Sequence, residues 1–596
     1  HQTFQHTGMG RSLGPAERSR SVLDLHTDSL LYDSYLDLYY QPLWQGDSLW
    51  LREFRLSPQG DTLHQLRRRV DYIVGSGMHT NSHLYELNGH YFQMPFTFYR
   101  QEGRLDFPPG FEQGANSRFG RPIGLECMSC HNAMPGDFVL GSENKFSQIA
   151  HGIDCERCHG PGELHVKGIR AGNLVDTAAF IDFRIVNPAR LPVELQFEVC
   201  QRCHLQGNAV LQPGKSFLDH KPGMKLSEVM NVYLPRYSNA EDDFIMASHV
   251  DRFKQSRCYQ PQNDFNCISC HNPHVSVAAT RLQSFNRTCQ GCHSEADKHF
   301  CTASASERQA QDINCVGCHM PASTSIDIPH VTIHDHRIQV PRNDRDSALP
   351  QEFLGLFAIN NSRPTPLNKA RAYLQQYERF EARPIYLDSA RRFLELSAAP
   401  DSLHLPVQVQ LLFLQGRYAA LEALVEQRGN AVLLQHLRKP GLDNKAAWTA
   451  YRLGEALLAQ GQVNRALSFY HRCVELAPLV PEFRNKYATA LSQDGQTEAA
   501  QKQWLTALQE LPEHRESLNN LGYSYLRTGR VDSGMALLQK AVQLYPDYEI
   551  AWLNLAGGYR LQHKTAATAH ALRQALRINP GNTAVQNYYE TLSATK

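Results

Sequence analysis

At 596 residues the chain is long enough for more than one cored domain. Sixty Lys and Arg against 59 Asp and Glu leave a net charge of +1, which argues against an electrostatic nucleic-acid footprint. No run of about 18 apolar residues marks a membrane span. Fifteen cysteines, by contrast, are too many to be incidental.

Residues 1–20 are polar and Gly-rich, with Phe4, His6 and Met9 the notable members. The sequence starts at His1 without a charged-then-apolar leader, which reads as a processed or truncated chain whose targeting segment is gone. From about 22 to 107 the pattern is that of strands. Leu43-Trp44 and Leu49-Trp50-Leu51 flank Gln45-Gly46-Asp47, and Leu84-Tyr85 and Tyr91-Phe92 flank Asn88-Gly89. Asn-Gly between apolar runs predicts a hairpin, because both turn positions need positive φ. The expected unit over 1–107 is a small antiparallel sheet packed on the neighbouring domain.

Within residues 108–340 helical and strand periodicity is weak, and C-x-x-C-H occurs six times. The copies are Cys127/Cys130/His131, Cys155/Cys158/His159, Cys200/Cys203/His204, Cys267/Cys270/His271, Cys289/Cys292/His293 and Cys315/Cys318/His319. Two thiols three positions apart can add to the two vinyl groups of one haem, and the next histidine then sits under the iron. Zinc ribbons also use paired C-x-x-C, but they have no use for a histidine after every pair. The expectation is six haem c groups, held in a haem-cored, mostly irregular and α domain. The motifs are so close in sequence that the porphyrins are expected to pack against one another. Attachment takes place outside the cytoplasmic membrane, so the expected compartment is periplasmic, extracellular or cell-surface. Cys258 and Cys301 are the spare cysteines of this region and are expected to pair in that oxidising compartment.

Residues 341–365 read as a linker of mixed charge. Over 366–596 helical periodicity takes over. Pro478, Pro512, Pro546 and Pro580 are 34 residues apart, with Gly461, Gly495 and Gly529 in register and Gly454, Ala488, Gly522 and Ala556 at a second small position. This is the tetratricopeptide signature, a helical superhelix whose concave face binds proteins. His563 stands where the last turn should have Gly, which predicts an altered turn. Cys473 aligns with Ala507, Ala541 and Ala575 and reads as a small core residue. The tail brings no haem motif, so it is expected to be separable from the redox chemistry.

The runs C-E-R-C-H-G-P-G-E-L-H from Cys155 to His165 and C-I-S-C-H-N-P-H from Cys267 to His274 resemble a bacterial family of tetratricopeptide-repeat multihaem cytochromes. Its haem segment is related to the tetrahaem cytochromes of ammonia oxidisers. Gly75-Ser76-Gly77, His79 and the closing Met320-Pro321 with His330 and His336 extend the likeness. The resemblance implies that His165 and His274 are distal ligands to haems attached elsewhere, and it matches His79, His330 and His336 to further ligand positions. It also implies another C-x-x-C-H upstream of Phe4–Ser12; either that haem lies outside this sequence or it has been lost.

Sixteen of the 22 histidines outside the motifs precede residue 345, which independently points to bis-histidine irons. His249 is a further candidate, and the His6/Met9 segment offers either ligand type. His26, His64 and His90 read as surface or hairpin residues, His151 as a loop residue or ligand, and His334 as a propionate partner. Arg157, Arg202 and Lys167 also suit propionates.

Three functions fit. One is an electron relay through packed haems, docking to redox partner proteins through the tail. A second is a polymeric conductor built from copies of the chain. The third is an oxidoreductase acting on a small nitrogen or sulfur compound. No C-x-x-C-K motif occurs and no nucleophile stands out, so the relay reading leads and no catalytic residue is assigned.

Overall fold

The computed structural model describes residues 3–25, 29–133, 137–238, 245–259, 264–294, 300–341 and 352–594. His26 lies outside them. Two antiparallel sheets come first. One is a meander of Leu31–Asp33, Leu38–Gln45, Ser48–Leu56 and Thr62–Arg69. The other orders Leu13–Pro15, Tyr72–Val74, Thr80–Leu87, His90–Tyr99 and Arg121–Pro122, with Arg104–Asp106 also paired to His90–Tyr99. Both hairpins form as the sequence predicts: Leu43 faces Trp50 across the Gly46 turn, and Asn88 and Gly89 take φ of +53° and +81°. The two sheets share one core, in which Leu38, Tyr40 and Leu51 meet Tyr85, Met94 and Phe96. Full burial of each such side chain contributes about 1.5–3 kcal/mol. The β region therefore exceeds the small sheet expected, and it takes in Arg121–Pro122 from beyond residue 107.

The middle of the chain places short helices at the motifs: Leu125–His131, Glu156–His159, Val193–His204, Cys267–Cys270, Leu282–Gln290 and Cys315–His319. Its side-chain clusters are small, such as Phe197 with Val250 and Phe253. The stretch read as a linker is a correction. Phe353–Ala358 is a strand that pairs with Met230–Tyr237, itself paired to Asn208–Leu211. The reason is compositional: Phe353-Leu-Gly-Leu-Phe-Ala358 is an apolar run that completes the sheet and buries Leu356.

From Pro366–Arg379 onward the chain is helical, in pairs that continue to Thr583–Ala594. The repeat registers hold. Gly461, Gly495 and Gly529 end their helices at φ of +75°, +82° and +79°, and His563 takes the same conformation at +56°. The altered turn expected at His563 is therefore not found; the imidazole residue accepts the left-handed backbone. A Cβ on Gly522 would lie 2.8 Å from Leu538, which is why the helix pair needs a small residue there. Cys473 is fully buried, as expected.

The tail is not a detached module. The loops between repeats line an edge that holds the sheets. Arg55 donates to Asp547 at 2.7 Å, Arg118 to the Leu544 carbonyl at 2.9 Å, and Arg68 pairs with Glu513. His90 Nε2 lies 2.9 Å from Glu510, which also pairs with Lys145. Arg379 reaches Glu126, beside the first haem motif, at 2.7 Å. Further along, Arg371 donates to the Leu211 carbonyl at 2.7 Å and Asn208 to the Ala372 carbonyl at 2.8 Å. Among the described residues no helix is long and apolar enough to cross a membrane.

Candidate haem centre

The helix ends fix the attachment residues. Each C-x-x-C-H spans about one helical turn, so its two thiols and its imidazole emerge on neighbouring faces. None of the 15 cysteines is in a disulfide. The expected Cys258–Cys301 bridge is thus absent, because each thiol sits by a different motif. Cys258 is within electrostatic reach of Cys292, while Cys301 is near Cys315. Alkylation without reductant should label both, and labelling of neither would restore the bridge.

The motifs converge through their sulfurs. Cys130 of the first motif hydrogen-bonds Cys203 of the third, and Cys200 of the third hydrogen-bonds Cys267 of the fourth. Cys158 of the second motif lies near Cys200, and Cys289 of the fifth lies near both Cys270 and Cys315. The helix Val193–His204 therefore sits between the attachment points of three other motifs. Cys127 and Cys155, the leading thiols of the first two motifs, are exposed at the rim.

The sixth motif corrects the expectation of uniform packing. Cys318 is half-buried and lies within reach of Cys315 of its own motif. No hydrogen bond joins Cys318 to a thiol of another motif among the described residues. The physical reason is position: Cys315–His319 is the last motif helix, and it packs on Leu282–Gln290 of the fifth motif. The contact between the two motifs runs through Cys315 and leaves Cys318 at the end of the row. Its amide donates to the Asn314 carbonyl at 3.3 Å, which keeps the turn closed around the attachment point.

Two imidazoles bound to opposite sides of one iron hold their ring centres roughly 6 Å apart. His159 and His274 are 5.9 Å apart with rings inclined by 10°. His271 and His336 are 6.2 Å apart, and His204 and His249 are 5.5 Å apart. His249 also touches His336 at 4.6 Å, so these two distal candidates meet. Burial lowers the pKa of His249 to about 2, with His336 and His204 adding to the effect, and that of His336 to about 4, where His271 adds. Burial also lowers His131, His204 and His271. Neutral rings keep the lone pair that a metal requires.

Hydrogen bonds orient several rings. His159 Nδ1 is 2.8 Å from the Val186 carbonyl, and His319 Nδ1 is 2.9 Å from that of Gln339. His336 Nδ1 is 3.0 Å from the His334 carbonyl. Each such bond fixes Nδ1–H and leaves Nε2 for a metal. Among the described residues, Nδ1 of His79 and of His249 is buried without a partner. Arg202 buries Nε and Nη1 likewise beside Cys203, an arrangement suited to an anionic propionate. Paired rings, free thiols and a partly uncompensated guanidinium together fit haem c.

Other expected ligands are placed differently. His330 is a correction: its Nδ1 is 2.8 Å from Glu102 and its Nε2 3.0 Å from Asp106, so two carboxylates hold both nitrogens. His6 is exposed in the turn Phe4–His6, and Met9 is half-buried, its carbonyl accepting from Ile153 at 3.0 Å. Both lie near the second motif, since Phe4 contacts His274. His165 faces no other histidine ring, and no second ring faces His131, His293 or His319 among the described residues. His64 and His90 are structural, bonded to Glu53 and Asn144 at 2.9 Å each, although buried and not on the surface. His151 is exposed in its loop, and His334 Nδ1 lies 2.6 Å from the Met320 carbonyl. Sequence reasoning misses His83, whose one signal is its place in an alternating strand. It is fully buried, stacked on Phe96 at 4.0 Å, with Nε2 unpartnered among the described residues.

Comparison with known proteins agrees with this centre. The doubled CXXCH motif family matches residues 260–298, and tetratricopeptide repeat families match 449–479 and 515–558. The chain is similar to the multiheme cytochrome MtrA of Shewanella baltica (strain OS185), 28% identical over 184 residues. That match covers 28% of this chain and spans about half, 52%, of the relative. A second similarity, 36% over 64 residues, is to the tetratricopeptide repeat domain-containing protein PYG7 of Arabidopsis thaliana, covering 11% of this chain and 21% of that one. Among solved structures, YrrB, a tetratricopeptide protein, is 15% identical and covers 37% of this chain and 99% of its own, with a TM-score of 0.24. MamA from Desulfovibrio magneticus RS-1 is 17% identical, covering 25% and 84%, also with a TM-score of 0.24. Motifs, repeats and relatives define a class. The chain is a multihaem c-type cytochrome with C-terminal tetratricopeptide repeats.

Proposed function

We propose that this cytochrome binds six haem c groups and relays electrons between them outside the cytoplasm, in the periplasm or at the cell surface. The observation that carries this reading is the contact between thiols of different motifs, Cys130 with Cys203 and Cys200 with Cys267. Attachment points that touch leave the cofactors packed together. The haem on Cys315 and Cys318 ends the row, where electrons can enter or leave. Bound haem would supply one-electron redox chemistry. The protein's part is to orient it: His159 with His274, His204 with His249, and His271 with His336 as axial pairs, and Arg202 toward a propionate. His79 is a further distal ligand on the strength of its buried, unpartnered Nδ1. His6 or Met9 remains the nearest ligand from the N-terminal segment. The tail serves docking to a redox partner or to copies of the chain, including a polymeric conductor.

The intact mass of the loaded protein should exceed the polypeptide by six haems. Each of His249→Ala, His274→Ala and His336→Ala should turn one haem in six high-spin, readable by electron paramagnetic resonance, with the other five unchanged. Retention of all low-spin signals in these variants would refute the axial pairs. One observation favours the oxidoreductase reading: His330, held by two carboxylates, leaves one distal ligand fewer. Carbon monoxide shifting a single reduced haem of the parent protein would decide for that alternative.

A further inference from the structure

His165 lies on the helix Glu163–Arg170, and its surroundings differ from those of every paired histidine. Its Nδ1 is 2.9 Å from Asp182 Oδ2, and Asp182 is itself held by Arg184 at 2.7 Å. A carboxylate on Nδ1 fixes the tautomer and makes Nε2 a stronger donor to a metal. No hydrogen bond engages Nε2 among the described residues, and no proximal histidine of the six motifs comes into ring contact with it. The residues flanking both partners are apolar and face solvent. Leu164, beside His165, is 66% exposed; Ile181 and Phe183, on either side of Asp182, are 55% and 91% exposed. Phe180 is 69% exposed and Ile169, one turn along the helix, 42%. Scattered exposed apolar residues are ordinary, but a contiguous set around an oriented imidazole marks a binding surface. Arg170 is exposed at the end of the same helix and can meet an anionic edge.

We infer that His165 is the axial ligand of a haem c other than those attached to the six motifs of this sequence, with Leu164, Ile169, Phe180 and Phe183 covering its porphyrin. The reading of the chain as a bis-histidine haem c protein underlies this step. In it Nε2 gives its lone pair to the iron and displaces a weakly held water. The proton stays on Nδ1 against Asp182, and no electron is transferred. The incoming haem has two possible carriers, a second copy of the chain or a further stretch of polypeptide, and the chemistry on His165 is the same for both.

The probe is a haem c peptide of the microperoxidase type, five-coordinate and high-spin when free, added to the fully loaded protein. Binding should convert the peptide's high-spin resonance to low-spin. His165→Ala should weaken binding at least tenfold, and Asp182→Asn should weaken it less, while intact mass and the protein's own six low-spin signals stay as they were. If His165→Ala instead turns one of the protein's own haems high-spin, His165 serves an internal iron and the inference falls. Peptide binding unaffected by His165→Ala also overturns it. Failure of the broader reading would look different, since the protein would then carry no low-spin haem at all. Sedimentation separates the carriers: self-association lost in His165→Ala points to a second copy. Peptide binding without self-association points to another stretch of polypeptide.

Discussion

A protein ending at residue 365 is expected to lose its haem-side fold along with its docking surface. The separable tail that the sequence suggests is contradicted by what the repeats touch. Leu367, Ala370 and Tyr373 of the tail share one core with Val210, Tyr233 and Leu356, and Leu511 enters the core of the sheets. Uncovering each large apolar side chain costs about 1.5–3 kcal/mol, against a total stability of roughly 5–15 kcal/mol for an ordinary domain. Arg118, Arg55 and Arg68 would lose their partners as well. Expression of residues 1–365 should give aggregated material with incomplete haem loading. A soluble fragment with six haems and the parent's spectrum would show that the tail is a passenger.

Glu53→Gln is expected to cost about 3–5 kcal/mol, the usual range for breaking one partner out of a buried ion pair. Glu53 is 0% exposed and is held by Arg118, whose Nε donates to it at 2.8 Å, and by His64 at 2.9 Å. Burial alone would raise its pKa, but the Arg118 charge and hydrogen bonds override that and bring it from 4.5 to about 2. The folded pKa lies below the unfolded one, so as pH falls the unfolded chain takes up the proton first. This contribution, about 3 kcal/mol, is complete above pH 4.5 and is lost as pH drops to about 2. Denaturant melts of parent and variant should converge across that window. Parallel curves between pH 4.5 and pH 2 would rule out Glu53 as the titrating group.

The repeats and hairpins were legible because they depend on local rules. Proline spacing sets the 34-residue unit, and Asn88-Gly89 can hardly do anything but turn. The proximal histidines were legible for the same reason, each being tied to its cysteines by sequence. Distal partners are set by the folded path, which sequence spacing does not encode. His330 carried a family-like position, yet Glu102 and Asp106 sit more than 220 residues away in the chain and claim its ring. Cys318 makes the same point at the level of the thiols. Its motif is as clear as the other five, but only the fold puts it at the end of the row. The strand Phe353–Ala358 was hidden by its flanks, since mixed charge on either side gave it the look of a linker. His563 shows a limit of residue preference: the neighbouring repeats impose a backbone that glycine favours, and histidine follows.

Arg55 and Asp547 are 492 positions apart, and Arg118 meets Leu544 across 426. Contacts this long-range can close only when nearly the whole polypeptide is present. During export the thiol pairs emerge well before the last repeats do. The attachment machinery thus has a period in which every motif is still on an open strand, and arrival of the final repeats ends it. A chain that stalls before residue 544 would remain accessible to haem ligation, but also to oxidation of Cys130 with Cys203. The array would in that case act as a clock for maturation, timed by its place at the end of the gene.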